Sequence, residues 1–412
     1  MDELMEPHLV NRSWLDEPAL KTLLTVLNTE DEETRIVGGA VRDALLGEEI
    51  GDIDCATTAT PDKVTEMAVA AGFKVVPTGI DHGTVTVIVD SKPFEVTTLR
   101  EDIKTDGRHA VVEFGRDWVK DAERRDFTMN ALSIDANGDV HDPIGGYADL
   151  VHREIRFIGD AEIRITEDYL RALRFFRFFA WYGSGRPDRN GLRAVVRTKA
   201  GLEGLSVERV WSELKKTLRA RDPERAILWM RTTEVLNVIL SENWGLDQFH
   251  WMLAAERDQD WKIDPLRRLQ AMLRPADDVV HGVADRLKLS NAERAQLVDW
   301  AQESALAKTY VDLSDAEFSK VLYRGKPSAI VDALAHEYAK RLTKEEEGAE
   351  RILALIAVAG PWARPQLPVA GADLMKKGMG AGPEIGAKLA ELESLWIESD
   401  FTLTKKALLD LL

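Results

Sequence analysis

Asp52 and Asp54 in Gly51-Asp-Ile-Asp54 follow, roughly ten residues on, the run Val37-Gly-Gly-Ala-Val-Arg-Asp43. If the two aspartates lie on a strand, their spacing of two puts both carboxylates on one face, which is how a pair of divalent cations is gripped. Hard cations such as magnesium take carboxylate oxygens together with substrate phosphates. Gly38 and Gly39 carry no Cβ, so their backbone can approach a triphosphate closely. An isolated Asp-x-Asp is common at loop edges and says little alone. In this order, the two segments point to nucleotidyl transfer.

Two later segments supply further candidates. Glu95 in Lys92-Pro-Phe-Glu-Val-Thr-Thr-Leu-Arg100 sits where a neighbouring strand could set a third carboxylate over the first two, or where it could pair with Arg100 instead. In Arg124-Arg-Asp-Phe-Thr-Met-Asn-Ala131, Arg124 and Arg125 offer one fork for phosphate and one brace for the fold, since guanidinium suits bidentate phosphate contacts. Asp126 and Asn130, four apart, would share a helical face and meet ribose hydroxyls or position the arginines. The alternative is a helix cap at Asp126 beside ordinary surface arginines.

Taken together, these segments resemble the class II tRNA nucleotidyltransferases, the CCA-adding enzymes and their bacterial poly(A) polymerase relatives. The resemblance is specific over residues 35 to 215 and continues more weakly to the C-terminus. It implies a polymerase-beta-like α/β head, tRNA as partner, CTP and ATP as substrates, and two magnesium ions held by Asp52, Asp54 and Glu95. It also implies nucleotide contacts from Gly38, Gly39, Arg42, Arg124, Arg125, Asp126, Asn130, Asp168, Arg171 and Arg174. In such a reaction an RNA 3′-hydroxyl attacks an α-phosphate and expels pyrophosphate, with two metals about 4 Å apart.

The segment Glu167-Asp-Tyr-Leu-Arg171 bears on base choice. Asp168 and Arg171, three apart on a helix, would present an acceptor beside a donor. Cytosine and adenine both offer an exocyclic amino donor next to an acceptor ring nitrogen, whereas uracil and guanine reverse that order. Such a pair admits CTP and ATP and leaves polar groups unpaired against UTP and GTP, at roughly 1–3 kcal/mol per group. The competing reading is an ordinary helical salt bridge worth about 0.2–0.5 kcal/mol. Glu167 would orient Arg171 from one turn away, and Arg174 could add phosphate or neck contacts.

Other segments fit the same resemblance. Arg100 to Ala110 is polar, contains Gly107 and looks like the family's flexible loop for switching from C to A addition, or a simple mobile connection. Asp142-Pro-Ile-Gly-Gly146 with Asp149-Leu150 matches a hinge-like motif, and Ser206-Val-Glu-Arg-Val210 with Glu213 matches the start of a helix supporting the base-reading helix. Gly371-Ala-Asp-Leu374 and Gly382-Pro-Glu-Ile-Gly386 resemble the tail, where free amides and Lys376, Lys377 and Lys388 could meet RNA phosphates; a structural turn is equally compatible. The eight histidines form no paired His/Asp cluster, so no phosphohydrolase activity is expected.

A net charge of −17 and a pI near 5.1 argue against a protein that coats nucleic acid indiscriminately. The stretch from Arg153 to Arg225 nevertheless holds 17 Lys/Arg against 11 Asp/Glu, a local basic surface or a solvated helical face. Cys55 is the single cysteine, so no intramolecular disulfide or cysteine cage exists, and it reads as a buried packing residue. The acidic N-terminus and the lack of a run of about 18 apolar residues predict a cytoplasmic protein without a membrane span. The oligomeric state is open.

Length alone predicts several units. Leucines at helical spacing predict a helix over 13 to 29, then a strand at 35 to 37, a helix at 41 to 46, a strand at 52 to 55 and a helix at 61 to 71. Strands follow at 74 to 77, 84 to 89 and 92 to 99, the last two meeting at Asp90-Ser91. Beyond 160 helices dominate, among them 167 to 181, 207 to 219, 223 to 240, 265 to 273, 291 to 305 and 345 to 359, with loops at 183 to 187 and 360 to 365. The fold class is α+β: a head over 1–150 with a mixed sheet, then an all-α neck (151–222), body (223–330) and tail (331–412). The competing functions are poly(A) synthesis, addition of A alone, and non-catalytic RNA binding on a retired scaffold.

Overall fold

The computed structural model describes residues 12–80, 83–106, 109–242 and 245–412, with the backbone alone described across 101–106 and 109–113. It divides into two compact units, Met1–Ile239 and Leu240–Leu412.

The first unit is organised by a seven-stranded sheet in the order β3-β4-β5-β2-β1-β8-β9. The strands are β1 (Thr34–Val37), β2 (Asp54–Thr57), β3 (Lys74–Gly79), β4 (Thr84–Val89), β5 (Lys92–Thr98), β8 (Ser133–Ile134) and β9 (Val140–His141); β6 (Arg100–Asp106) and β7 (His109–Phe114) form a separate hairpin. β2 and β5 pair parallel, while the other neighbours pair antiparallel. Alternation sets the faces: β5 buries Phe94, Val96 and Thr98 and leaves Glu95 exposed between them. β4 and β5 are joined by Asp90 and Ser91 at φ 48° and 67°, the two left-handed residues of a tight hairpin.

Most of the segment 100 to 110, read as a flexible loop or a mobile connection, forms the antiparallel strands β6 and β7, pairing from Arg100 with Phe114 to Asp106 with His109; residues 107 and 108, Gly107 among them, lie outside the described residues. β2 begins at Asp54, so Asp52 precedes the strand, and the expected strand from Asp52 to Cys55 is displaced toward Thr57. The expected helix over 13 to 29 is split. Ser13–Asp16 is a 3-10 turn and α1 runs Pro18–Leu27, because Pro18 can open a helix but not continue one; the Glu17 carboxylate accepts the Leu20 N–H as cap.

The remaining helices of this unit are α2 (Gly39–Leu46), α3 (Pro61–Ala70), α4 (Trp118–Glu123), α5 (Gly146–Val151), α6 (Ala161–Glu167), α7 (Leu170–Tyr182), α8 (Arg189–Thr198), α9 (Val207–Leu218), α10 (Glu224–Thr232) and α11 (Val235–Ile239). Asn-free caps recur, with Thr60, Asp117, Asp160 and Asp188 each accepting a first-turn amide. The expected helix from 223 to 240 breaks between α10 and α11, where Glu234 turns left-handed at φ 61°. An aromatic cluster anchors α7: Phe175 stacks on Phe157 at 5.4 Å, and Phe178 lies 4.9 Å from Phe127.

In the second unit Pro327–Lys344 packs against Asp247–Asp258, Asn291–Ser304 and Ala349–Ala359. The last of these starts four residues later than expected, after Glu345 ends the preceding helix at φ 54°. The interior is partly polar. Asp332 accepts from Arg267, Gln270 and Gln296, Arg268 meets Glu256 at 2.6 Å, and burial drives His336 down to about 3, so it is a neutral packing residue against Trp300. No helix among the described residues is long and apolar enough to cross a membrane.

Candidate active site

β1 delivers the chain to Gly38, whose φ of 75° only glycine adopts readily, and α2 starts immediately beyond. The opening turn of α2 therefore faces a cavity of about 410 Å³ with amides that lack intrahelical acceptors. The cavity is lined by Gly38, Gly39, Arg42, Arg125, Asp126, Asn130, Asp168, Leu170, Arg171, Arg174, Phe178 and Arg209. Five guanidiniums against two carboxylates make its lining basic inside a strongly acidic protein.

A buried relay fixes these arginines. Arg42 donates to Asn130 Oδ1 at 3.0 Å and to the Tyr182 hydroxyl at 2.6 Å; Asn130 donates to Asp126 Oδ1 at 2.9 Å, and Arg174 Nε donates to Asp126 Oδ2 at 2.7 Å. Burial would raise the Asp126 carboxyl, but Arg174 and the Asn130 hydrogen bond outweigh it and hold it below the usual range. Asp126 and Asn130 meet as their spacing suggests, though not on an α-helix: Asp126 is outside any helix and Thr128–Asn130 is a 3-10 turn. Asp126 accordingly braces Arg174 and caps no helix.

Asp121 grips both members of the double arginine, at 2.6 Å to Arg124 and 3.0 Å to Arg125. Arg125 reaches the cavity and Arg124 does not; the Arg124 carbonyl accepts from Arg164 instead. Desolvation pushes Asp121 upward, yet Arg125 and Arg124 prevail and its carboxyl lies below its ordinary range.

Asp168 and Arg171 both line the cavity, but a break in the chain brings them there. α6 ends at Glu167, Asp168 is extended at φ −152°, and α7 starts at Leu170, so the expected single helix from 167 to 181 is interrupted at the residue in question. Asp168 Oδ1 accepts the Leu170 N–H at 3.1 Å and Oδ2 accepts from Arg209 at 2.7 Å. Arg171 Nη1 is held by Glu167 and by the Arg164 carbonyl, which leaves its other nitrogens for the cavity.

Asp52, Asp54 and Glu95 are not in the lining of this cavity. Asp54 is in register with Val37 across β1 and with Glu95 across β5, which places two carboxylates side by side next to the Gly38 turn. Although Asp54 is open to solvent, the protein crowding it and then the charges of Glu95 and Asp52 push its carboxyl above the usual range, against Arg125. Neighbouring Cys55 is fully buried and pushed up to about 12 by burial and by Asp54, so it packs and does not react.

The head-domain profile described as "Poly A polymerase head domain" matches residues 34–156, and that described as "Probable RNA and SrmB-binding site of polymerase A" matches 188–244. The mitochondrial CCA tRNA nucleotidyltransferase 1 of Mus musculus is 36% identical over 403 residues, covering 95% of this chain and 88% of its own. The chain belongs to the CCA tRNA nucleotidyltransferase family. The Bacillus stearothermophilus CCA-adding enzyme in complex with CTP superposes with a TM-score of 0.70 at 27% identity, covering 93% of each chain. The fold is shared by the Thermotoga maritima CCA-adding enzyme complexed with tRNA, at a TM-score of 0.66 and 20% identity over 97% of each chain.

Within this family member the donor set at Asp52, Asp54 and Glu95 is all hard oxygen, and the accumulated negative charge at Asp54 is what a divalent cation relieves. Among the described residues no three His, Cys, Asp or Glu side chains already stand close enough to hold a metal ion by themselves. The hinge-like segment is tightly held: Asp142 accepts the Gly146 and Tyr147 amides at 2.8 and 2.9 Å, and Asp149 accepts from Thr128 and Arg156.

Asp121, Arg209, Phe178 and Tyr182 escaped the sequence reading as site residues. Asp121 stands three and four residues before the arginines on α4, a spacing that signals pairing. Phe178 and Tyr182 continue the stripe of Arg171 and Arg174 at helical period. Arg209 lay inside the Ser206 to Val210 motif, but nothing local ties it to Asp168, 41 residues earlier.

Proposed function

We propose that this chain adds CCA to tRNA 3′ ends from CTP and ATP, choosing bases with protein side chains instead of a nucleic-acid template. One observation carries the reading: Asp168 and Arg171 share a single arginine-rich cavity that opens beside the Asp54–Glu95 pair. The triphosphate lies against the Gly38 and Gly39 amides with Arg42, Arg125 and Arg174 taking its charge. Asp168 accepts from the exocyclic amino group of cytosine or adenine, and a free nitrogen of Arg171 donates to the adjacent ring nitrogen. UTP and GTP present a carbonyl and an N–H at those two points, so both protein groups are left unpaired. Glu167 and Arg209 hold the two readers in place.

Asp52, Asp54 and Glu95 would hold two magnesium ions, whose chemistry when bound is to activate the attacking hydroxyl and neutralise the leaving pyrophosphate. Ionisation of Asp54 is required for that role, and bound cations favour it. In the same proposal residues 1–150 form the catalytic head, 151–222 the base-reading neck, 223–330 the body and 331–412 a tail that meets tRNA. Cytoplasmic residence is also proposed; the murine relative is named as mitochondrial, and cell fractionation separates the two.

The test uses tRNA transcripts lacking the last three, two or one nucleotides with single labelled triphosphates. CCA addition predicts C on the first two, A on the third, and a stop. Long A tails would establish poly(A) synthesis, extension of only the CC-ended transcript would establish A addition alone, and no extension would leave an RNA-binding module.

A further inference from the structure

Beyond the nucleotide cavity, α7 ends in an exposed aromatic side chain among cations. Trp181 is 45% exposed although its indole N–H donates to the Lys216 carbonyl at 2.9 Å, so the ring is tethered while much of it stays open to solvent. The hydrogen bond joins the C-terminal end of α7 to that of α9. The chain then wraps round this end: Arg225 donates to the carbonyls of Gly183 and Gly185 at 3.1 and 3.0 Å. Lys215 to Arg225 carries five cations and two acids. Within it Arg219 and Arg221 are exposed and make no ion pair among the described residues.

This patch is continuous with the cavity. Phe178 lines the cavity, its ring lies 5.7 Å from Tyr182, and Tyr182 lies 6.4 Å from Trp181. Trp181 is seven residues beyond Arg174, on the same stripe of α7, and about 15 Å along the axis from Arg171. An exposed indole anchored on Lys216, three and five residues before the exposed Arg219 and Arg221, in a chain of net charge −17, is complementary to a polyanion that also carries flat apolar faces.

Resting on the tRNA reading above, we propose that Trp181 is a stacking platform for an unpaired base of the RNA near its growing 3′ end, with Arg219 and Arg221 on the flanking phosphates. The two parts have separable signatures. Stacking is sequence-tolerant and insensitive to salt, whereas each phosphate contact contributes to the salt dependence of binding.

The experiment measures the Kd of the full-length protein for a tRNA transcript lacking CCA, at several salt concentrations, together with KM for CTP and kcat at saturating tRNA. Trp181→Ala should weaken tRNA binding about tenfold. Trp181→Phe, which lacks the indole N–H but keeps a stacking ring, should recover to within about threefold of the original. The double variant Arg219→Gln/Arg221→Gln should flatten the log Kd against log salt slope by roughly 1–2. KM for CTP should stay within about twofold throughout. Equal weakening by Ala and Phe would assign the effect to the Lys216 hydrogen bond and overturn the platform. Unchanged Kd and slope would leave the patch to a protein partner and overturn it too. CCA addition intact with unmoved tRNA binding sinks the platform alone, whereas absent extension with the predicted binding losses sinks the catalytic reading alone.

Discussion

Arg209 Nη2 donates to Asp168 Oδ2 at 2.7 Å, linking the start of α9 to the break between α6 and α7. The bond occupies one lone pair of one oxygen and fixes the direction of the rest. It also holds an extended residue between two helices, where Asp168 could otherwise rotate. Replacing Arg209 by Gln removes a charge-assisted bond worth about 1.5–3 kcal/mol, equivalent to roughly tenfold or more in discrimination. The preference for CTP over UTP, measured as a ratio of kcat/KM, should fall by that factor, with partial recovery in Arg209→Lys. A preserved ratio alongside a lower melting temperature would show that the pair only supports the fold.

Asp54 carries opposite demands. The protein crowding this solvent-open side chain, and then the neighbouring Glu95 and Asp52, raise its carboxyl, so the charged form is disfavoured in the folded protein. A raised carboxyl contributes stability that is present below the unfolded value of about 3.9 and is lost as pH rises through the folded one. Asp54→Asn should therefore raise the melting temperature relative to the unaltered protein more at pH 7 than at pH 4. Magnesium should stabilise the unaltered protein and stabilise the variant much less, a readout independent of turnover. CTP incorporation should drop by more than ~100-fold, beyond the loss of an outer-shell partner, with tRNA binding within about threefold. Full thermal response to magnesium in the variant would remove Asp54 from the ion site.

The head was legible because its signals are local. Alternating valines mark β4, the Asp90-Ser91 pair marks the hairpin, and Thr60-Pro61 marks the start of α3. The break at Asp168 was not legible, since no Gly or Pro interrupts Thr166-Glu-Asp-Tyr-Leu-Arg171 and the extended backbone is stabilised by Arg209 from a different helix. Likewise the 3-10 turn at Thr128 is set by bonds to Asp149 and Arg156, not by its own residues. Residue types identified the cavity lining well; the polar network that aims those residues depends on long-range partners.

Asp121 holds two guanidiniums from a position only 2% exposed. Asp121→Asn should cost about 3 kcal/mol at pH 7, the scale for breaking a buried pair. Because its folded-state carboxyl is depressed, the stability it contributes is present above the unfolded value near 3.9 and is lost as pH falls through the folded one. The gap in urea midpoint between the variant and the unaltered protein should thus close in acid below about pH 4. KM for the triphosphate should rise, since Arg125 loses its anchor at the cavity edge. A gap that persists undiminished at pH 3 would mean that packing, not charge, makes Asp121 necessary.

Gly145 and Gly146 are adjacent yet required for different reasons, and a pair of alanine variants separates them. Gly145 adopts φ 77° with nothing within 4 Å of an added Cβ, so Gly145→Ala meets only backbone strain of about 1 kcal/mol. At Gly146 the added Cβ would fall 2.1 Å from the Thr128 carbonyl oxygen and 2.6 Å from its carbon. That backbone is anchored, with the Thr128 N–H donating to Arg156 and its hydroxyl to Asp149, so the clash must displace the turn that carries Asn130. Asn130 is the link between Arg42 and Asp126, and moving it loosens two cavity arginines together. Gly146→Ala should lose about 1–3 kcal/mol of stability and, in the fraction that remains folded, raise KM for CTP. Gly145→Ala should keep the unaltered KM despite its lower melting temperature. Equal KM values in both variants would disconnect the hinge-like segment from the nucleotide site.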